Sequence, residues 1–255
     1  MSPLRRHQLA WPTEAGWQRL LARPWDAEAR AALQHWAGQA LPLVIGRGQP
    51  APGELALGLP APACFGRRRL ALSLPPGELR FLDDFPALDA LIRNLPRWHR
   101  APFRRLALVL HGLGLQARVY GSHGWQLITG LDHLRPGSDL DLWLAVADSA
   151  EADRAAAALA GFEAAPGLPR LDGELVFPDG RAVAWREWRQ QRARQPSGPV
   201  LVKRIDGQAL QAAVPALFDR RWPAQQALDA PSLERFEGRM PWLGRPAAAP
   251  AELAA

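Results

Sequence analysis

The stretch Ser138-Asp139-Leu140-Asp141 opens a run, SDLDLWLAV, that is otherwise apolar. In an extended chain alternate side chains share a face. Asp139 and Asp141 therefore stand together, while Leu140, Leu142 and Leu144 turn into the core. Two like charges held so close repel, and a divalent cation removes that cost. Two magnesium ions about 3.5–4 Å apart can clamp the attacking and leaving oxygens of a phosphoryl-type transfer. Upstream, RVYGS ends in Gly121-Ser122 and leads into SHGWQLITGL. Glycine lets the backbone approach an anion, and the serine hydroxyl, the next amides and a helix dipole all favour one there. Ser122 is expected to cap that helix, and His123 beside it is a candidate phosphate donor. Each motif alone has a plainer reading: a solvated face of an edge strand for Asp-x-Asp, an ordinary capped turn for Gly-Ser.

These residues need elements to hold them. Apolar spacing predicts a helical pair over 14–40, broken at Arg23-Pro24, and a short strand in LPLVIGRG. Small strands joined by turns follow through QPAPGELALGLPAPACFGRRRLALSLPPGEL. Helices are predicted over 81–99 and 102–117, then a strand in RVYGS, a helix over 122–131, the strand SDLDLWLAV and an alanine-rich helix over 149–160. LDGELVF and RAVAWREW read as a hairpin across Pro-Asp-Gly, VLVKRIDG as a further strand, and 206–218 as a helix. From about 244 the chain reads as a disordered tail. The expected class is α+β: a small N-terminal α+β domain over 1–77, a domain with a mixed sheet flanked by helices over 78–225, and an extension over 226–255.

Composition bounds the possibilities. The 255 residues, 48% of them hydrophobic, suffice for one large or two small cores. Net charge is +6, nearly all of the basic residues being arginine. That suits an anionic partner, but the excess is too scattered for a nucleic-acid stripe, and no nucleic-acid partner is expected. Cys64 is the only cysteine, which excludes an internal disulfide and a cysteine-based zinc site. No apolar run reaches the ~18 residues of a membrane span, and MSPLRRHQLAWP lacks a signal-peptide core. A cytoplasmic protein is expected.

Strand, Gly-Ser, helix, loop, then strand with Ser-Asp-x-Asp resembles the nucleotidyltransferase superfamily. The segment departs from it in a longer interval between Ser122 and Asp139, which includes His133-Leu134-Arg135-Pro136-Gly137. The superfamily resemblance implies a third carboxylate on a later strand, sharing a metal and activating the nucleophile. Asp172 is favoured, with Glu174, two residues on and facing the same side, as the alternative. A narrower resemblance covers about residues 5 to 220. RRHQLAWP, GSHGWQLITGLDHLRPGSDLDLWL and LDGELVFPDGRAVAWREW are similar to the phosphoribosyl-dephospho-CoA transferases, the holo-acyl-carrier-protein synthases associated with malonate decarboxylase. Its most specific part is Gly121-Ser122, Trp125, Thr129-Gly130 and Ser138-Asp139-Leu140-Asp141.

That resemblance implies transfer of a 2′-(5″-phosphoribosyl)-3′-dephospho-CoA group from its triphosphate to a serine of the acyl carrier protein, with pyrophosphate leaving. Asp139, Asp141 and Asp172 would hold magnesium, and Gly121, Ser122, His123 and Ser138 would bind substrate. Lys203 is a further candidate phosphate contact. Within Arg67-Arg68-Arg69, Arg68 is a candidate for the CoA-like moiety or an acidic acceptor. Trp185 and Trp188, flanking Glu187, are placed either against an adenine or in the core, and His7, Trp11 and Pro12 in N-terminal packing. Two other readings stand beside this one: a nucleotidyltransferase using ATP or CTP on another acceptor, and a basic, non-catalytic binding module.

Overall fold

The computed structural model describes residues 4–162, 168–195, 198–205 and 207–212. Its elements build two sheets with helices, an α+β class. Strand β1 (Gln8–Pro12) precedes helices α1 (Glu14–Leu21) and α2 (Ala27–Gly38), then strands β2 (Leu43–Ile45), β3 (Leu55–Pro60), β4 (Arg69–Leu74) and β5 (Leu79–Asp84). The five strands pair antiparallel in the order β4-β3-β2-β1-β5. The helical pair forms as expected because its starts are capped. Thr13 Oγ1 accepts from Gly16 N at 3.1 Å and Asp26 Oδ1 from Ala29 N at 2.9 Å. Trp17, Leu20, Leu33 and Trp36 pack with Leu43, Leu57 and Leu72 of the sheet.

The helix expected over 81–99 is not continuous. Strand β1 lies inside its sheet and needs a partner on both edges. Residues 79–84 supply the second, with Leu9 opposite Asp83 and Ala10 opposite Leu82. The first sheet thus runs past residue 77, and helix begins only with α3 (Leu88–Ile92). Helix α4 (Arg97–Gly112) starts before the expected 102 and stops before 117, because strand β6 (Ala117–Val119) takes the residues beyond.

The second sheet holds the candidate chemistry. After β6 come α5 (Gly121–Thr129), β7 (Leu140–Ala145), α6 (Ser149–Gly161), β8 (Leu171–Val176), β9 (Ala182–Ala184), α7 (Trp185–Arg194), β10 (Pro199–Arg204) and β11 (Gly207–Ala212). The order is β11-β10-β9-β8-β7-β6. Strands β7 and β8 run parallel and are joined by α6; the other described pairs are antiparallel. The expected hairpin is β8–β9, but its second arm is short because helix starts at Trp185. The helix expected over 206–218 is a strand over 207–212. Its pairing runs from Pro199 opposite Ala212 to Arg204 opposite Gly207, and these ladder bonds override a helical period that is short and alanine-rich. Residues 213–255, with the expected tail from 244, lie outside the described residues. Leu140, Leu142 and Leu144 are buried with Phe103 and Leu106 of α4 and Ala152 and Ala155 of α6. No described helix is long and apolar enough to cross a membrane.

Candidate active site

Helix α5 begins without a side-chain cap. Tyr120, not Ser122, occupies the cap position, and Ser122 sits in the first turn. The first intrahelical bond runs from Gly124 N to Tyr120 O at 3.2 Å, so the amides of Gly121, Ser122 and His123 precede the ladder and are available to an anion. Gly121 has φ +62°, and a Cβ there would stand 2.0 Å from Asp141 Oδ2. Only glycine lets the start of α5 and the Asp141 carboxylate meet. Tyr120 N also donates to Asp141 O at 3.1 Å, which ties the Gly-Ser turn to β7.

The parallel register places Asp141 opposite Asp172 and Trp143 opposite Glu174. A Cβ on Gly173 would lie 1.8 Å from Leu142 O, so the two strands approach too closely there for any side chain. Burial, then the charges of Asp172, Asp139 and Glu174, push the Asp141 carboxyl up to about 6. Such a rise represents about 3 kcal/mol at most, at ~1.4 kcal/mol per unit. The three leucines on the other face of β7 contribute together about 5–9 kcal/mol by burial. The core therefore decides which way β7 faces, and the carboxylates accept their repulsion.

Asp139 is turned outward. Arg170 donates to its Oδ1 from Nε at 3.1 Å and to its Oδ2 from Nη2 at 2.5 Å. That hydrogen bonding holds the Asp139 carboxyl below the usual carboxylate range. The same Nη2 lies 3.7 Å from Asp172 Oδ2, so one guanidinium bridges two of the carboxylates. We expect Arg170→Gln to raise the titration of Asp139, as read by carbon-detected NMR of the side-chain carboxyl; an unmoved titration would show that the pair does not persist in solution.

Glu174 is engaged differently. It is 3% exposed and faces three basic groups: Lys203 Nζ at 2.8 Å, Arg6 Nη1 at 3.2 Å and His7 Nε2 at 3.3 Å. Burial pushes its carboxyl up, but His7, Arg6 and Lys203 together outweigh that and hold it well below the usual range. The His7 ring also lies on Tyr120, 4.2 Å between centroids. Beside it, Arg5 bonds Asp84 and stands over the Trp143 ring at 4.8 Å. Arg5, Arg6, His7 and Arg170 were not expected at the site. The available signals were RRHQLAWP, a basic cluster with no chemical task, and an arginine directly before LDGEL.

The other expected residues divide. Lys203 reaches the site through Glu174. Ser138 Oγ accepts from Arg135 N at 2.8 Å and closes the turn that leads into β7. His123 is buried, and burial holds it below its ordinary value. Arg68 is remote: it bonds Asp26 Oδ1 at 2.6 Å beside edge strand β4. Its neighbour Arg67 donates to Leu134 O at 3.3 Å and so reaches the long loop before Ser138. Gln126 Oε1 accepts from His133 N and Leu134 N of the same loop, and Thr129 meets His133 Nε2 at 3.1 Å. Trp188 is fully buried and donates to Asp153 at 2.9 Å, which leaves it no face for an adenine; Trp185 is 3% exposed. A cavity of about 230 Å³ borders Arg170, lined by Phe162, Leu171, Trp185, Arg186 and Arg189 among others, and none of the site carboxylates lines it.

Among the described residues, no three His, Cys, Asp or Glu side chains gather closely enough to hold a metal. Asp139 is drawn to Arg170 and Glu174 to Lys203, which leaves Asp141 beside Asp172. That pair fits magnesium. Its donors are hard oxygens, their mutual repulsion calls for a cation, and magnesium takes one or two protein carboxylates while keeping water and substrate phosphates.

A Gly-Ser helix start pressed on one aspartate, with two more carboxylates at hand on parallel strands, defines a transferase of the nucleotidyltransferase type. Family models match in two parts: the phosphoribosyl-dephospho-CoA transferase MdcG N-terminal domain over residues 5–82 and the MdcG C-terminal domain over residues 87–213. A phosphoribosyl-dephospho-CoA transferase of Xanthomonas campestris pv. campestris (strain 8004) is 34% identical over 222 residues, 86% of this chain and 99% of that one. Proteins of the same name from Xanthomonas axonopodis pv. citri and Bradyrhizobium diazoefficiens are 36% and 37% identical, each over 72% of this chain and over 84% and 82% of their own. No solved structure gives a significant match. The chain belongs to the phosphoribosyl-dephospho-CoA transferase family.

Proposed function

We propose that this protein transfers the 2′-(5″-phosphoribosyl)-3′-dephospho-CoA group from its triphosphate to a serine of the malonate decarboxylase acyl carrier protein. The observation that carries the reading is the contact of Asp141 with Gly121, with Asp172 in register beside it. An anion seated on the amides of Gly121, Ser122 and His123 would meet the carboxylates directly. Asp141 and Asp172 would hold magnesium, with Asp139 joining once Arg170 releases it. A magnesium ion held there would supply positive charge to the phosphate oxygens. The serine oxygen attacks the α-phosphorus while Asp172 accepts its proton. The bond from that phosphorus to the bridging oxygen breaks, and pyrophosphate leaves on the amides of α5. Arg170, Arg186 and Arg189 around the neighbouring cavity suit the phosphates of the remainder of the donor. Net charge +6 suits an acidic carrier.

Intact-mass spectrometry of the carrier protein tests the reading. Incubation with this protein, magnesium and the triphosphate donor should add the full prosthetic group, and EDTA should abolish the gain. Addition of AMP or CMP from ATP or CTP instead would keep the chemistry and discard the donor. No gain from any donor would overturn the reading.

A further inference from the structure

Arg6 and His7 precede the first strand of the N-terminal sheet, yet both side chains end on β8 of the other sheet, at Glu174. There they meet Lys203 from β10. Three basic groups thus meet at one carboxylate, with Asp172 two residues along the same face of β8. A structural ion pair needs one partner, so the second cation can serve an anion other than Glu174.

The layering shows where that anion comes from. The Glu174 side chain is 4% exposed, against 11% for Arg6 and 26% for Lys203, so the carboxylate lies beneath and the cations open outward. Among the described residues Arg6 commits only Nη1 to Glu174, at 3.2 and 3.3 Å from the two oxygens, which leaves the rest of its fork to donate elsewhere. The cluster borders the Gly-Ser cradle. His7 lies on the ring of Tyr120, the residue before Gly121, and Glu174 is two residues from Asp172. His7 holds φ +61°, a left-handed backbone that residues other than glycine rarely adopt. The fold accepts that strain where the chain turns Arg6 and His7 toward β8.

We infer that the N-terminal segment completes the anion site: Arg6 and Lys203 bind the diphosphate portion of the donor, Glu174 holds them aligned until it arrives, and His7 positions Glu174 against Tyr120. This rests on the proposed reaction, whose leaving group is pyrophosphate. The diphosphate then displaces one carboxylate from two cations without new charge having to be ordered.

Calorimetric titration with inorganic pyrophosphate and magnesium tests it on the full chain, with melting curves recorded for every variant. Arg6→Gln and Lys203→Gln should each weaken pyrophosphate about tenfold, and Arg6→Lys should recover part of the loss. Glu174→Gln should tighten it several-fold, because the competing carboxylate is gone. A purely structural clamp predicts the opposite for Glu174→Gln, since loosening the cluster would weaken all variants alike. Wild-type binding with Arg6→Gln and Lys203→Gln unchanged overturns the inference and leaves the reaction standing, whether or not Glu174→Gln folds. A wild type that does not bind pyrophosphate overturns the inference and the proposed leaving group together.

Discussion

Asp141→Asn should lower the transfer rate about 10³-fold and at the same time raise the melting temperature. The loss corresponds to roughly 4 kcal/mol of transition-state stabilisation, in the range expected when a metal-holding charge beside the reacting phosphate is removed. The gain follows from the same geometry. The folded protein lifts the Asp141 carboxyl from its ordinary value to about 6, first by burial and then through Asp172, Asp139 and Glu174. A carboxyl raised on folding binds its proton more tightly in the folded state. Its stabilising contribution is present at pH below about 4 and is lost as pH rises towards about 6. At neutral pH the wild type therefore carries a destabilising ionised group that asparagine lacks. Relief is worth about 1–3 kcal/mol, the upper figure being the whole rise and the lower allowing for screening by solvent. Without metal, the wild type should lose stability relative to the variant between about pH 4 and 6, the groups common to both cancelling in the difference. Magnesium should restore the wild type and leave the variant unmoved. Melting curves against pH, with and without magnesium, check this; a variant no more stable than wild type at pH 7 would show that the carboxylates do not repel as described.

Much of this arrangement is legible in the amino acids, and particular residues show why. The alternation in SDLDLWLAV fixes its own faces, since burying Leu140, Leu142 and Leu144 outweighs any alternative register. Gly121, at the end of a strand and before a helix, announces a close approach, although not that its neighbour is Asp141. Asp172 could be placed on a later strand. That it stands opposite Asp141 depends on a parallel pairing with α6 as crossover, which only the assembled sheet decides. The fold was least legible where local pattern and sheet pairing compete. Residues 79–84 and 207–212 carry mixed patterns and become strands because β1 and β10 each have an open edge. The basic groups around the carboxylates were hidden by distance in sequence. Arg6 lies 168 positions from Glu174 and Arg170 lies 31 from Asp139, and an arginine gives no sign of its partner. Arg68 drew attention as the centre of a basic run, yet Asp26 satisfies it at the far edge of the first sheet.

Gly121→Ala should cost nearly as much activity as Asp141→Asn, about 10²–10³-fold, but with a loss of stability instead of a gain. Two effects add at this position. Backbone with φ +62° costs a residue bearing a Cβ about 1–2 kcal/mol. The added methyl would also stand 2.0 Å from Asp141 Oδ2 and 3.0 Å from its Cγ, contacts that cannot be kept. Either the carboxylate swings away from Asp172 or the first turn of α5 lifts from β7, and both separate the anion-binding amides from the carboxylates. A displacement near 1 Å is enough to cost about 10²-fold in a reaction that depends on alignment. Gly130→Ala isolates the backbone effect. Gly130 ends the same helix at φ +70°, and a Cβ there meets nothing within 4 Å. That variant should lose about 1 kcal/mol of stability and keep most of its activity. Parallel measurement of rate and melting temperature on the two variants separates strain from steric conflict. Equal activity in both would mean that Asp141 and the start of α5 need not touch for the reaction, and the site as drawn would be wrong at its centre.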